Sequence, residues 1–187
     1  MNAALAILEA EPDAELKIGD VATKADVSVP TIYRHFGNKD GLFAAAGQAL
    51  SDRMGAPSVH WGGGLLAALT GMCRFFEANR ERIKLALTRP GLANVHRHSA
   101  VARDGVFQQG LAPHMQHLSE EEARAVAAIV RTIAGSSAWL DYRERHRLSA
   151  QTAARAVTWS ITTLVERLER DAAHHRDLSH ASERSDA

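Results

Sequence analysis

The sequence is short of most features that would take it out of the ordinary globular class. It has a single cysteine, Cys73, so no intramolecular disulfide can form and a reducing compartment fits. No apolar run approaches the roughly 18 residues of a membrane span, and no basic segment precedes an apolar one at the start, so no export signal is expected and the cytoplasm is the expected location. Charge of either sign is not in excess: Lys+Arg and Asp+Glu are both 22. A whole-chain basic surplus, the usual electrostatic footprint of nucleic-acid binding, is therefore missing. Catalytic signatures are missing too. There is no G-x-S-x-G, and Gly62-Gly63-Gly64 lacks the Lys-Ser/Thr of a phosphate loop, so it reads as a linker. Neither an enzyme nor a cofactor is expected. Alternation of apolar and polar residues over a strand length is absent as well, which leaves helix.

Ala, Leu, Glu and Arg dominate, with apolar residues three and four apart. Residues 2–10 read as a first helix, broken at Pro12-Asp13, and residues 18–25 as a second with Val21 and Ala22 inward. Ser28 caps a third, in whose first turn Pro30 is tolerated. Gly37-Asn38 ends it, and Asn38 caps a fourth from Lys39 to about Met54. Further helices are expected over Leu65–Asn79, Glu81–Leu87 with a stop at Pro90-Gly91, and a segment around 98–116. Ser119-Glu120-Glu121-Glu122 is a capping box opening a long helix to about Arg145, and Ser149 caps a last one to about Ala173. The tail from His175 to Ala187 is polar, rich in Ser and Asp, and expected to be frayed and disordered.

The stretch Asp26 to Lys39 has the form of the turn and second helix of a helix-turn-helix, which places a few side chains in a DNA major groove. Ser28, Val29, Pro30 and Thr31 form its leading tip. Thr31 is suited to a base or a phosphate, and Val29 and Pro30 to a thymine methyl. Tyr33 and His35 suit phosphate contacts, with Arg34 beside them. Lys39 sits where a helix N-terminus already favours a phosphate. Lys17, ahead of the second helix, is a further phosphate partner. Ile32 and Phe36 face the opposite way and fix the helix to its core.

Residues Val21 to Leu42 (VATKADVSVPTIYRHFGNKDGL) resemble the N-terminal domain of the tetracycline-repressor (TetR) family of bacterial regulators. The pattern of Ala22, Ala25, Val27-Ser28, Thr31, Tyr33, Phe36, Lys39 and Leu42 carries the resemblance, and it is strong over about residues 3–45. It implies an all-α fold of about nine helices. Residues 1–45 would be the DNA-binding domain, with helix four (39–54) as connector, and residues 55–175 a ligand-binding and dimerisation domain. It further implies a homodimer on a palindromic DNA operator, released by a small-molecule effector. In the family, a further turn or two, often basic, usually precedes the segment matching Ala3-Ala4-Leu5. Residues 1–53 hold five basic residues against eight acidic ones, an unusual balance for a DNA-binding domain, although Arg34 and Lys39 lie on or beside the reading helix.

Two sets of residues extend this picture. In the last helix Ala153, Val157, Ser160, Ile161, Leu164 and Leu168 form a seam near heptad spacing, and Ala134-Gly135-Ser136-Ser137-Ala138 before it offers a flat face. Ala134, Ser137, Ala138, Val157, Ser160, Ile161, Leu164 and Leu168 are thus the candidate subunit interface, or else they pack within one subunit. Among the aromatic and apolar residues Trp61, Phe75, Phe76, Phe107, Trp139 and Tyr142, most are expected in the core. Met72, Phe76, Phe107 and Trp139 are the candidate lining of an effector site. Ten histidines include His96-x-His98, His114-x-x-His117 and His174-His175, but no acidic or cysteine residue completes a ligand set, so no metal is expected. The sequence thus reads as a ligand-responsive regulator, probed against the alternative of a dimeric small-molecule-binding protein that kept the fold but lost tight DNA binding.

Overall fold

The computed structural model describes residues 1–55, 64–98 and 100–185, except for the side chains of 100–104, 106 and 173–185. Trp61, Gly62 and Gly63, and the side chains of His174 and His175, lie outside the described residues. Among the described residues there is no strand, so the fold is all-α as expected. The chain forms two compact units, residues 1–58 with 75–103 and residues 59–74 with 104–187.

The first unit opens with α1 (Asn2–Ala10), α2 (Ile18–Lys24), α3 (Val29–Phe36) and α4 (Lys39–Arg53). Local signals explain each boundary. After α2 the N–H of Val27 donates to the Ala22 carbonyl at 3.0 Å and that of Asp26 to Thr23 at 3.2 Å, with Asp26 at φ 53°. This paired pattern closes a helix through one left-handed residue, a conformation Asp tolerates. Ser28 then caps α3 by accepting from the Thr31 N–H at 3.3 Å. Asn38 caps α4 by accepting from the Gly41 N–H at 2.8 Å. At Gly41 a Cβ would stand 2.0 Å from the Phe36 carbonyl oxygen, so only glycine allows α4 to begin this close to the end of α3.

These helices pack around Leu8, Leu16, Val21, Ile32, Leu42, Phe43 and Ala46, all buried. The core is completed from further down the chain. Beyond the last residues of α5 (Leu65–Ala78) come α6 (Arg80–Thr88) and α7 (Pro90–His98). Val95 of α7, fully buried, and Leu92 join the same cluster. Pro90, expected only as a stop, both ends α6 and starts α7. Arg89 takes the extended backbone favoured before proline (ψ 122°), and Pro90 at the first helical position gives up an N–H that has no intrahelical acceptor.

The second unit holds residues 65–74 of α5, α8 (Ala100–Leu111) from residue 104, a 3₁₀ turn at Ala112–His114, α9 (Glu120–Ala134), α10 (Ser136–Leu140), one π-helical turn (Asp141–Arg145) and α11 (Ala150–Ser185). The capping box is present at α9: the Ser119 N–H donates to Glu122 Oε2 at 2.9 Å, and the Glu122 N–H to Ser119 Oγ at 3.3 Å. The single helix expected from Ser119 to Arg145 is broken, however. Gly135 is extended (φ −78°, ψ 162°), as suits a residue that costs about 1 kcal/mol in a helix interior. Ala134, Ser137 and Ala138 therefore do not share one helix. The last helix continues past Ala173 to Ser185.

The join between α7 and the α1–α2 connection is tight. The Gly91 N–H donates to the Pro12 carbonyl at 3.0 Å, and a Cβ on Gly91 would stand 2.2 Å from the Ala14 carbonyl oxygen. Gly91→Ala is expected to destabilise the chain by about 1–3 kcal/mol, because backbone rather than a flexible side chain has to move. Urea denaturation followed by circular dichroism measures this, and an unchanged midpoint would refute the tight join.

Candidate nucleic-acid interface

Helix α3 divides its side chains cleanly. Ile32 is buried and Phe36 half-buried, both in the first unit's core. Ser28, Val29, Pro30, Tyr33, Arg34 and His35 are exposed and Thr31 is half-buried at its edge. The expected reading residues thus share the solvent side of one helix and its cap. Val27, Val29 and Tyr33 are 40%, 37% and 45% exposed, although large apolar side chains normally bury. Three such residues thus stand around one short helix. Thr31 Oγ1 lies 2.9 Å from Ser28 Oγ, so the two hydroxyls already bond each other. A hydroxyl has one donor and two acceptor positions, which leaves each able to take a further partner.

The basic residues are in unequal states. Arg34 has no ion-pair partner among the described residues and stands exposed on α3. Lys17, also exposed, is the residue just before α2. Lys39 is taken: its Nζ donates to Glu15 Oε1 at 2.7 Å and sits 5.3 Å from the centre of the Phe43 ring. Hydrogen bonding and the charge of Lys39 hold the Glu15 carboxyl below its usual value. The stabilisation from that pair is therefore full above the ordinary glutamate range and is lost as pH falls through the lowered value. Two other carboxylates of this acidic stretch are paired as well, Asp13 with Arg89 at 3.0 Å and Glu9 with Arg53. The net negative count of residues 1–53 is thus partly neutralised, because Arg89 comes from outside that count.

His98, at the end of α7, bonds Asp40 at the start of α4 (Nδ1 to Oδ1, 3.0 Å) and lies edge-on to Phe43 at 5.1 Å. Of the expected effector-lining residues, Met72, Phe107 and Trp139 are buried in the second unit, and Phe76 is half-buried beside Phe75 in the first. Two open clefts of about 400 Å³ each flank α6, lined chiefly by charged residues, and neither includes any of these four. Beside Met72, burial pushes the Cys73 thiol up to about 11. Tyr142 donates to the Ile133 carbonyl at 3.2 Å, and its hydroxyl is likewise pushed up by burial and by Asp141.

In the expected subunit seam, Ala134, Val157, Ile161 and Leu168 are already buried within the one chain. Ser160, Leu164 and Ala138 are half-buried and Ser137 is exposed. The heptad spacing of α11 thus describes the face turned inward. Sequence reasoning missed the residues turned outward, above all Trp159 at 70% and Ile129 at 54% exposure. Their signal was an apolar residue off the seam, and spacing alone does not say which stripe faces solvent.

Residues 1–46 match the family model of bacterial regulatory proteins, tetR family. No curated protein matches the chain. Among solved structures, the chain is similar to a TetR-like transcriptional regulator from Rhodococcus sp. RHA1, with 19% identity over 84% of this chain and 88% of that one, at a TM-score of 0.44. It is also similar to a transcriptional regulator from the same organism, with 20% identity over 90% and 95% of the two chains, again at 0.44.

The buried state of Cys73 is directly measurable. At pH 8 a thiol held near 11 is almost wholly protonated, so alkylation by iodoacetamide is expected to be at least tenfold slower in the native chain than in urea. Equal rates, read by mass spectrometry, would contradict the burial.

Proposed function

We propose, from the premise that the N-terminal domain belongs to the tetR family of DNA-binding bacterial regulators, that this chain is a homodimeric repressor released from a palindromic operator by a small-molecule effector. The observation that carries the DNA-reading part is the exposed apolar and hydroxyl surface of α3 around Thr31, held on a core by Ile32 and Phe36. In this reading Ser28, Val29, Pro30 and Thr31 meet base edges, and Lys17, Tyr33, Arg34 and His35 meet phosphates on either side. Two-fold symmetry then requires half-sites about one helical turn, or a multiple, apart. Action on DNA puts the protein in the cytoplasm. No helix among the described residues is long and apolar enough to cross a membrane.

The dimer face we assign differs from the heptad seam. Helix α9 leaves Ala125, Ala128, Ile129 and Thr132 exposed on one stripe, and α11 leaves Ala156, Trp159 and Thr163 exposed on another, with Ser160 half-buried beside them. These stripes carry no charge. The Thr132 hydroxyl bonds the Ala128 carbonyl at 2.7 Å, and those of Thr158 and Thr162 bond carbonyls four residues back at 2.8 Å, which lowers the penalty of removing water. An uncharged stripe with an exposed tryptophan is what an interface core favours. An effector would enter among Met72, Phe107 and Trp139 of the second unit. By reciprocity, an effector that weakens DNA binding is itself weakened by DNA.

Two measurements test this. In fluorescence polarisation with duplex DNA flanking the chain's own gene, Tyr33→Ala is expected to weaken binding across all sequences by about 0.5–1.5 kcal/mol. Thr31→Ala is expected to shift base preference by about 1–3 kcal/mol at one position. Equal and negligible effects would remove α3 as the reader. Light scattering at micromolar concentration is expected to give a dimer, and Trp159→Arg to weaken it by about 2 kcal/mol or more, roughly 30-fold. A wild-type monomer would end the dimer reading.

A further inference from the structure

Lys39 is the basic residue at the head of α4, beside the reading helix, and its ammonium is already engaged. It lies between the Glu15 carboxylate, at 2.7 Å, and the face of Phe43. Glu15 is not on a loose end. The next residue, Leu16, is 1% exposed and anchors in the core. On the other side, Asp13 pairs with Arg89 at 3.0 Å, the Pro12 carbonyl accepts from Gly91 at 3.0 Å, and Ala14 donates to Glu11 at 3.1 Å. The carboxylate is therefore presented to Lys39 by a connection held from both ends. A carboxylate and a phosphate ask the same thing of an ammonium, and Lys39 can satisfy one of them fully at a time. Both partners remain half-exposed, with side-chain exposures of 47% and 55%, so the pair is weak enough to open.

We propose that Glu15 is an internal competitor of the DNA backbone, occupying Lys39 in the free protein and yielding it when a phosphate arrives. This rests on the DNA-binding reading above and adds a residue that opposes it. The consequence is a binding domain tuned below its electrostatic maximum. Loading of Lys39 onto DNA releases a condensed cation, but it frees a carboxylate close to the duplex, so the chain gains less affinity and shows less salt dependence than its basic residues would give unopposed. The position of Glu15 depends on α7 through Arg89 and Gly91, which makes the strength of the competition sensitive to where α7 sits in the first unit.

The test is a double-substitution cycle, read by polarisation on duplex DNA flanking the chain's own gene and on a random-sequence duplex, across a potassium chloride series. Glu15→Gln keeps the shape of an exposed side chain and removes its charge. It is expected to tighten binding about two- to fivefold, the range of a half-exposed ion pair, on both duplexes. It is also expected to steepen the salt slope, by less than the roughly 0.9 that a whole phosphate contact contributes. Lys39→Gln is expected to weaken binding, and adding Glu15→Gln to it to change affinity by less than twofold. If Glu15→Gln tightens binding equally with and without Lys39, Glu15 merely repels DNA and the competition is overturned. If Glu15→Gln weakens binding or leaves it unchanged, Glu15 positions Lys39 or ignores it, and the proposal is equally overturned. If neither the natural chain nor any variant binds either duplex at low salt, the DNA-binding reading itself falls and takes the competition with it.

Discussion

A helix that turns most of its side chains to solvent has few with which to hold itself in place. Helix α3 has eight residues, too short to persist alone in water, and it commits only Ile32 fully and Phe36 partly to the core. Its order must come from its neighbours. Leu42, Phe43 and Ala46 of α4, with Val95 of α7, belong to the buried cluster that Ile32 joins, and all four are fully buried. The placement of every exposed residue of α3 depends on that shared core. So does the turn geometry before it, since the Asp26 left-handed residue and the Ser28 cap only orient a helix that something else has fixed.

The same constraint couples function to the rest of the first unit. Because α7 packs on α4, which in turn packs on α3, displacing it would disturb α3 without touching that helix's exposed residues. His98 of α7 bonds Asp40 at the head of α4, and Gly91 and the preceding Arg89 hold the connection that carries Glu15. The acidic stretch Glu9 to Glu15 counts against DNA binding as a sum. In space Glu9, Asp13 and Glu15 are partners for Arg53, Arg89 and Lys39. Charge balance by segment misjudges such a domain because the compensating arginine comes from far along the chain.

Much of the first unit was legible in advance because its signals are local. Caps at Ser28 and Asn38, the stop at Gly37 and the inward spacing of Ile32 and Phe36 each act within one turn of helix, and each appears where expected, as does the Ser119 cap in the second unit. Errors fell where a residue had two local meanings. Pro90 fits both the end of one helix and the first position of the next. Gly135 inside an apolar helical pattern is tolerated or breaks the helix, depending on packing. On α11 the seam of Val157, Ile161 and Leu168 was visible, but the face it would turn to was not.

The sequence by itself determined the all-α class, the helix-turn-helix and the identity of its outward residues, because periodicity, caps and turn residues report on conformation within a few positions. Only the tertiary structure decided that Val95 joins the core that holds α3, that the α11 seam faces inward while Trp159 faces out, and that Glu15 holds Lys39. Each of these joins groups from different helices or chooses between two faces of one. Such contacts are set by how the apolar surfaces of the whole unit fit together, and spacing along the chain carries no measure of that fit.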